Sequence, residues 1–373
     1  MKEKKITVML CSPPPGRSGG ISRWSSHVLN YYKNIDKAKN VKLLFFPMGR
    51  SAFVGYMGIT KRFFYGIVDY VKLLIRYKKR IDIEKPDLVH IVSSASISLL
   101  KDIFMLKIAQ RLKIKTLVHY RFGRIPSLCE KKNWEYKLLV KVIQLANRII
   151  VIDQKSYDCL LNEGFTTIEL LPNPLSPAVE KQISDFRDLK REENKILFVG
   201  QVLKTKGIFE LLEACKKIKG IKVKVLGYVN EEMKMKIHKF IGSTNVDWLE
   251  ISGNQPYDVV LKEMITAGVF VLPTYTEGFP NVILESMACA CPIVTTPVGA
   301  IPEMLDINGL KSLGICVNVK DVKNLRIAIN RMLQDRKFAI ECGNNARKRV
   351  IEEYSMNIIW QKMENIWESV WLD

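Results

Sequence analysis

Two glutamates, Glu277 and Glu285, lie eight positions apart in the segment PTYTEGFPNVILESMACACPIVTT, residues 273–296. The apolar run VFVLPTY before Glu277 predicts a buried strand, and Pro280 suits the first turn of a helix that we predict over 281–289. Glu277 would then lie in a strand-end loop and Glu285 just over one turn inside the helix. One carboxylate could face a reacting sugar while the other contacts a ribose diol. The alternative is a pair of solvated surface glutamates.

Other groups that suit phosphate or sugar oxygens also follow predicted strands. The predicted helix would present the N–H groups of Asn281 and Val282, which have no partner inside the helix. Lys206 opens a helix after the strand ILFVG, and its ammonium could neutralise a diphosphate. Gly19 and Gly20 follow the first strand, where two glycines let a backbone approach a phosphate closely. His119 ends the strand TLVHY, where a histidine is either structural or catalytic.

Short apolar runs alternate with helix-length segments along all 373 residues, which is too long for one ordinary core. Strands that are apolar on both faces and alternate with helices indicate parallel sheets covered by helices. The sequence therefore predicts an α/β protein with two Rossmann-like domains. The predicted strands are 5–11, 41–47, 88–93, 116–120, 148–152, 195–200, 222–227, 246–251, 269–273 and 293–296.

The least patterned polar stretch, 176–193, is predicted as the linker between an N-terminal domain of residues 1–175 and a C-terminal domain of residues 194–354. A last helix, at about 355–373, would pack back on the first domain. Ligands of open α/β sheets bind at the carboxyl ends of the strands. We therefore expect the active site in the cleft between the two domains.

Charge and cysteine content indicate possible binding partners and the cellular compartment. The net charge is +20, and residues 1–175 contribute +18 of it through 31 basic and 13 acidic residues. An anionic membrane, a phosphate-bearing substrate or nucleic acid could each bind this positively charged half. The alternative is a general lysine bias in composition without a binding role. No apolar run reaches membrane-spanning length, no signal peptide is evident, and eight cysteines show no C-x-x-C pair. These features predict a cytoplasmic protein with reduced thiols.

Taken together, the motifs resemble the retaining glycosyltransferases of family 4, which have the GT-B fold, over nearly the whole chain. The family's E-x7-E signature corresponds to Glu277 and Glu285, and the order VGQ…KG, GN at 253–254, LPTYTEGFPNVILE and PVGAIPE follows the family pattern. The resemblance implies a retaining, metal-independent hexosyltransferase of polysaccharide biosynthesis, with two Rossmann-like domains facing across a cleft. It implies no cofactor, because a nucleotide diphosphate sugar is the co-substrate.

The resemblance also implies residue roles. Glu277, Lys206 and His119 would be the catalytic residues, with His119 near the C6 hydroxyl of the transferred sugar and Lys206 on the diphosphate leaving group. Glu285 would bind the ribose hydroxyls. The other donor-binding positions are Gly19, Gly20, Gln201, Gly253, Asn254, Phe279, Asn281 and Val282. The acceptor would be a saccharide or a lipid-linked saccharide.

Three positions depart from the family pattern. Gln201 stands where most members have an arginine, so no second positive charge follows the strand; Arg17 or Lys204 could compensate. Ala290 stands where glycine is usual and predicts a slightly different helix end. The loop GYVNEE after Leu226 replaces a glycine-rich one, which leaves the base open. A catalytically impaired nucleotide-sugar-binding protein, a nucleotide-sugar epimerase of the same fold and a nucleic-acid-binding protein are the alternatives, although no nucleic-acid-binding motif is present.

The segment KRFFYGIVDYVKLLIRYKKR, residues 61–80, predicts an amphipathic helix. Its polar stripe would contain Asp69, Lys72, Arg76 and Lys79, and the apolar residues largely opposite would be Phe63, Phe64, Ile67, Val71, Leu74 and Ile75. Such a helix could rest on anionic lipid at the inner face of the cytoplasmic membrane. The alternative is an ordinary Rossmann helix that buries its apolar face.

Overall fold

The computed structural model describes residues 5–16, 19–35, 40–49, 59–186, 188–242 and 246–373, and of residues 59–67 only the backbone is described. The chain divides into two compact units. Unit 1 contains Met1–Pro172 and Ile359–Asp373, and unit 2 contains Asn173–Ile358.

Unit 1 contains a six-stranded sheet of parallel strands in the order β2-β1-β3-β4-β5-β6. All six residues of β3 are buried, because helices cover both faces of the sheet. The strands are β1 Ile6–Ser12, β2 Val41–Pro47, β3 Leu88–Ser93, β4 Lys115–Tyr120, β5 Arg148–Val151 and β6 Ile168–Leu170. The helices are α1 Gly20–Asn34, α2 Ile59–Glu84, α3 Ser98–Arg111, α4 Ile125–Lys131, α5 Trp134–Leu145 and α6 Gln154–Asn162.

Unit 2 contains a second parallel sheet of six strands, in the order β12-β11-β10-β7-β8-β9. Its strands are β7 Glu192–Val199, β8 Lys222–Leu226, β9 Leu249–Gly253, β10 Ala267–Leu272, β11 Ile293–Thr295 and β12 Ile315–Cys316. Its helices are α7 Pro177–Asp185, α8 Ile208–Cys215, α9 Glu231–Ile241, α10 Tyr257–Thr266, α11 Asn281–Ala288, α12 Ile301–Met304, α13 Val322–Gln334 and α14 Arg336–Tyr354. A 3₁₀ turn, Lys204–Lys206, precedes α8.

A last helix, α15, spans Met356–Leu372, and from Ile359 onward its residues belong to unit 1. There Trp360 stacks on Tyr32 with ring centres 5.9 Å apart, and the indole N–H of Trp367 donates to His90 Nδ1 at 3.1 Å. Both indoles are almost completely buried. The end of the chain is therefore part of the core of the first unit.

The predicted α/β architecture is confirmed, and each predicted strand has an observed counterpart. The edge strands β6 and β12 were not predicted, because two or three residues carry too little periodicity. The stretch 176–193, predicted as a linker, contains α7, and the division between the units falls between Pro172 and Asn173.

The buried face of α2 differs from the apolar set that the sequence predicts, so the alternative of an ordinary helix that buries this set does not hold at Val71 and Ile75. Leu73, Tyr77 and Ile81 form the buried face, while Val71 and Ile75 are 50% and 63% exposed. The helix carries apolar side chains on both sides, so spacing alone did not identify the side that packs on the sheet. The predicted Phe63, Phe64 and Ile67 side chains lie outside the described residues.

Arg191, in the stretch between α7 and β7, connects the ends of two helices in unit 2. Its guanidinium donates to the carbonyl oxygens of Ala267, Cys289 and Ala290 at 2.9, 2.9 and 2.7 Å. Ala290 has a left-handed backbone, φ 49°, and its N–H donates to Met287 O at 2.9 Å. The helix therefore ends in a left-handed residue, as the family's glycine would, but with the strain of a Cβ.

We predict that Ala290→Gly stabilises the protein by about 0.5–1 kcal/mol, because glycine adopts φ > 0 without the Cβ penalty. Chemical denaturation measures the free energy of unfolding. Ala288→Gly is the matched control, since Ala288 is helical and glycine there should destabilise by about the same amount. Equal or lower stability for Ala290→Gly would contradict the strain.

Candidate functional site

The candidate site of unit 2 starts from two neighbouring strands, β7 and β10, whose carboxyl ends lie at one edge of the sheet. The loop after β7 contains Lys206 and the loop after β10 contains Glu277. Backbone hydrogen bonding joins the two loops, since Tyr275 N–H donates to Thr205 O at 2.8 Å. Parallel pairing of these strands thus brings together two charged residues that are 71 positions apart in the chain.

A glycine lets these two loops approach each other. Gly207 has φ 75°, and a Cβ there would lie 2.0 Å from the carbonyl oxygen of Pro273. No other residue fits this approach without displacing one of the loops. Lys206, the preceding residue, reaches across and its Nζ lies 2.5 Å from Glu277 Oε1.

The loop with Glu277 is also held from its other side by the segment after β11. Gly299 has φ 57°, and a Cβ there would lie 2.4 Å from Glu277 O. Ala300 N–H donates to Gly278 O at 2.9 Å. Glu277 is therefore positioned by close backbone packing on both sides of its loop, and the PVGA segment of the sequence supplies one of them.

Helix α11 begins directly after this loop. Its N-cap is Pro280, which offers no side-chain acceptor to the first N–H groups, and no acidic residue lies in the first turn. Asn173 Nδ2 donates to Phe279 O at 3.2 Å and to Asn281 Oδ1 at 2.9 Å. The N-terminus of α11, with Asn281 and Val282, is thus fixed in place while its N–H groups keep their affinity for an anion.

Glu285 lies one turn further along α11 and is buried, with 8% of its surface exposed. Tyr257 Oη donates to Glu285 Oε1 at 2.8 Å. Tyr257 begins α10, and the predicted residues Gly253, the last residue of β9, and Asn254 lie shortly before it in the chain. Reasoning from the sequence missed Tyr257, because its contact with Glu285 joins two different helices of the folded unit.

Gln201 follows β7 and is exposed, as is the nearby Lys204. A Cβ at Gly227 would lie 1.9 Å from Gly200 O, so the end of β8 packs against the residue before Gln201. Of the two residues that could supply the positive charge missing at position 201, Lys204 is exposed in the turn before α8. The other, Arg17, lies outside the described residues.

The remaining predicted residues belong to unit 1. Gly19, with φ 120°, and Gly20 form the start of α1, which has no side-chain cap, and nothing lies within 4 Å of a Cβ built on either glycine. His119 is completely buried in β4, and burial lowers its pKa, with a further contribution from the Arg121 charge. His119 is therefore a neutral imidazole that other side chains cover.

Comparison with known proteins agrees with this geometry. Residues 179–349 match the family described as glycosyl transferases group 1. The capsular polysaccharide biosynthesis glycosyltransferase CapM of Staphylococcus aureus is 29% identical over 68% of this chain and 66% of its own length. A Campylobacter jejuni enzyme, N,N'-diacetylbacillosaminyl-diphospho-undecaprenol alpha-1,3-N-acetylgalactosaminyltransferase, is 27% identical over 53% of this chain and 50% of its own. The chain thus spans half to just under two thirds of the length of these curated relatives.

The structure of Anabaena HepE in complex with UDP-glucose superimposes with a TM-score of 0.70 at 15% identity, covering 98% of this chain and 100% of HepE. At that identity the likeness concerns the fold, which is GT-B, with two Rossmann-like units. The family match includes Lys206, Glu277 and Glu285. The three site candidates of unit 2 thus lie within the part of the chain that matches the glycosyl transferases group 1 family.

Proposed function

We propose that this protein is a retaining glycosyltransferase that moves a sugar from a nucleotide diphosphate sugar to a saccharide acceptor. The observation that carries the proposal is the contact between Lys206 and Glu277 next to the uncapped start of α11. A cation, a carboxylate and a helix N-terminus together match a sugar diphosphate, which has hydroxyl groups at one end and negative charge at the other.

Lys206 would stabilise the leaving diphosphate. Its ammonium has three N–H donors, and the contact with Glu277 uses one of them. The side chain is 26% exposed, so a phosphate oxygen can reach the remaining donors. Negative charge grows on the diphosphate as the glycosidic bond breaks, and a cation already held in place by Glu277 stabilises that charge without reorganising.

Glu285 would hold the nucleoside. A ribose diol offers two O–H donors, and a buried carboxylate positioned by Tyr257 is a strong acceptor for them. The base is less constrained by the site, but HepE was crystallised with UDP-glucose, so uridine diphosphate sugars are the donors to test first.

Retention follows in this proposal from attack on the same face that the diphosphate leaves. The alternative, a double displacement, needs a carboxylate nucleophile. Glu277 Oε1 lies 2.5 Å from the Lys206 ammonium, and this ion pair makes the carboxylate a weaker nucleophile. The ion pair therefore favours a role for Glu277 as a hydrogen-bond acceptor from the sugar hydroxyls. Orientation of the two substrates and stabilisation of the leaving group then supply the catalysis.

The acceptor proposal rests on the relatives. CapM is named for capsular polysaccharide biosynthesis, and the Campylobacter jejuni enzyme for an acceptor on diphospho-undecaprenol. A saccharide linked to a lipid diphosphate is therefore the acceptor class we propose. The second candidate is a catalytically impaired nucleotide-sugar-binding protein, which the neutral Gln201 favours and which turnover with donor and acceptor would exclude.

We predict that Glu285→Gln weakens UDP binding by about 1.5–3 kcal/mol, because the amide loses charge-assisted hydrogen bonds to the ribose. Isothermal titration calorimetry measures the affinity. The matched control is Glu213→Gln. Glu213 lies on α8 and pairs with Lys216, and this variant should bind UDP like wild type. Equal affinities for all three proteins would remove Glu285 from the nucleotide site.

We predict that Lys206→Ala lowers kcat about 10²–10³-fold through loss of one transition-state stabiliser. Lys217→Ala, which changes an exposed lysine beyond α8, is the control and should retain most activity. Gln201→Arg should keep or raise kcat if position 201 faces the diphosphate. A folded Gln201→Arg variant without activity would assign the glutamine another role, and an unchanged kcat in Lys206→Ala would contradict the mechanism.

We also propose that unit 1 contacts an anionic membrane surface, although none of the described helices is long and apolar enough to cross a bilayer. Exposed apolar side chains on α2 lie among exposed lysines, with Ile75 at 63% between Lys72 and Lys79. On α3, which packs beside α2, Phe104 is 52% exposed. Apolar groups that insert and cations that attract phosphate headgroups together suit an anionic bilayer.

We predict that changing Lys72 and Lys79 to Gln weakens binding to anionic vesicles about thirtyfold, since each basic residue near such a surface contributes roughly 1 kcal/mol. Arg76 stays unchanged because it contacts Pro47 O and the Phe46 ring. The control changes the exposed Lys217 and Lys219 of unit 2.

Co-sedimentation with anionic and neutral vesicles at low and high salt is the measurement. Salt should weaken the binding only in part, because it screens the lysines but not the exposed apolar side chains. If wild type ignores anionic vesicles at low salt, the membrane proposal fails, and the donor site of unit 2 is unaffected.

A further inference from the structure

Arg121 follows directly after β4 in unit 1 and lies among aromatic rings. Its guanidinium carbon is 4.8 Å from the centre of the Trp24 ring, and one of its terminal nitrogens is 3.5 Å from His119 Nε2. His119 is itself completely buried, with its ring edge-on to Trp24 at 5.2 Å. Arg121 keeps part of its surface exposed, so it stands between the buried histidine and solvent.

The charge of this guanidinium has no counter-ion in the described part of the chain. No carboxylate there lies within 4 Å of it, whereas Arg124, three positions later, contacts Glu135 at 2.5 Å. Burial lowers the pKa of Arg121 to about 9, which still leaves it charged at neutral pH. A partly buried cation without a counter-ion is costly, and an anionic ligand would supply the missing opposite charge.

The neighbouring titratable groups do not neutralise it either. Burial lowers the pKa of His90 to about 3 and that of His27 to about 4, and the Arg121 charge contributes to both shifts. Arg23 adds a second positive charge near His27. The cluster therefore combines neutral imidazoles with cations, an environment that favours an anion.

We propose that Arg121 binds an oxyanion of a diphosphate ester, and that His119 and Trp24 position its guanidinium. The inference rests on the proposed function, which makes diphosphate esters the substrates. A guanidinium has five N–H donors in a planar fork that matches two phosphate oxygens. The contact with His119 uses one terminal nitrogen of Arg121 and leaves the other donors for a ligand. The Trp24 face fixes the plane of the fork.

The role of His119 changes accordingly. A side chain with no exposed surface does not meet a ligand in this structure, whereas the Nε2 that faces Arg121 accepts from it only while the imidazole is neutral. His119 is thus a positioning residue that acts through Arg121. In this proposal Arg121, two positions after His119, contacts the ligand.

The test uses the full-length protein and three probes: inorganic diphosphate, UDP and geranyl diphosphate. Titrations by calorimetry compare wild type with Arg121→Gln, Arg121→Lys and the control Arg124→Gln. In parallel, NMR follows the guanidinium Nε–H resonance that disappears in Arg121→Lys. Thermal melts establish that each variant is folded, and Arg121→Lys keeps the positive charge if the glutamine variant does not fold.

We expect Arg121→Gln to weaken binding of at least one diphosphate probe by roughly tenfold to 100-fold, with a smaller loss for Arg121→Lys and none for Arg124→Gln. The Arg121 resonance should shift with that probe, and His119→Gln should reduce the shift. A loss with UDP assigns the site to the donor, and a loss with geranyl diphosphate alone assigns it to the lipid-linked acceptor.

The proposal is overturned if folded Arg121 variants bind every probe like wild type, or if no probe shifts the resonance. If Arg121 variants bind every probe like wild type while UDP binding still depends on Lys206, this inference is overturned and the proposed function stays intact. Failure of wild type to bind UDP would contradict the donor site itself.

Discussion

The ion pair between Lys206 and Glu277 is the interaction on which the account of unit 2 depends. It forms because β7 and β10 are neighbours and because glycines at positions 207 and 299 allow loop backbones to approach within the space of a Cβ. The ammonium is thereby held beside the start of α11 before any ligand arrives. Preorganised charge of this kind stabilises a departing diphosphate because no reorganisation is needed during the reaction.

Unit 1 handles charge in a different way. In unit 2 Lys206 pairs with a carboxylate, whereas the Arg121 guanidinium contacts the Trp24 ring and the neutral His119, and no carboxylate of the described residues lies within 4 Å of it. The same contrast appears in the composition, since 18 of the 20 net positive charges lie in residues 1–175. An excess of positive charge would suit the anionic partners that we propose for unit 1, a lipid-linked diphosphate and a membrane surface.

The sequence predicted the two parallel sheets because their central strands are apolar on both faces, as in β3 and β10. It also singled out Glu277 and Glu285 by their spacing and Lys206 by the turn that carries it, and the fold brings Lys206 and Glu277 into contact. It did not identify Tyr257, since that contact depends on how α10 packs beside α11. Nor did it find the buried face of α2, because Val71 and Ile75 are as apolar as Leu73, and only tertiary packing distinguishes them. For His119 the residue type left a structural and a catalytic role open and the family resemblance implied a ligand contact, whereas in the fold its Nε2 contacts Arg121.

A crystal structure of the protein with UDP tests the central claim most directly. The account predicts a phosphate oxygen within hydrogen-bonding distance of Lys206 Nζ, about 2.7–3.2 Å, and ribose hydroxyls at the same distance from the Glu285 carboxylate. The Lys206 ammonium would then bridge Glu277 and the diphosphate. UDP bound away from these residues, or a ribose that turns away from Glu285, would contradict the donor site.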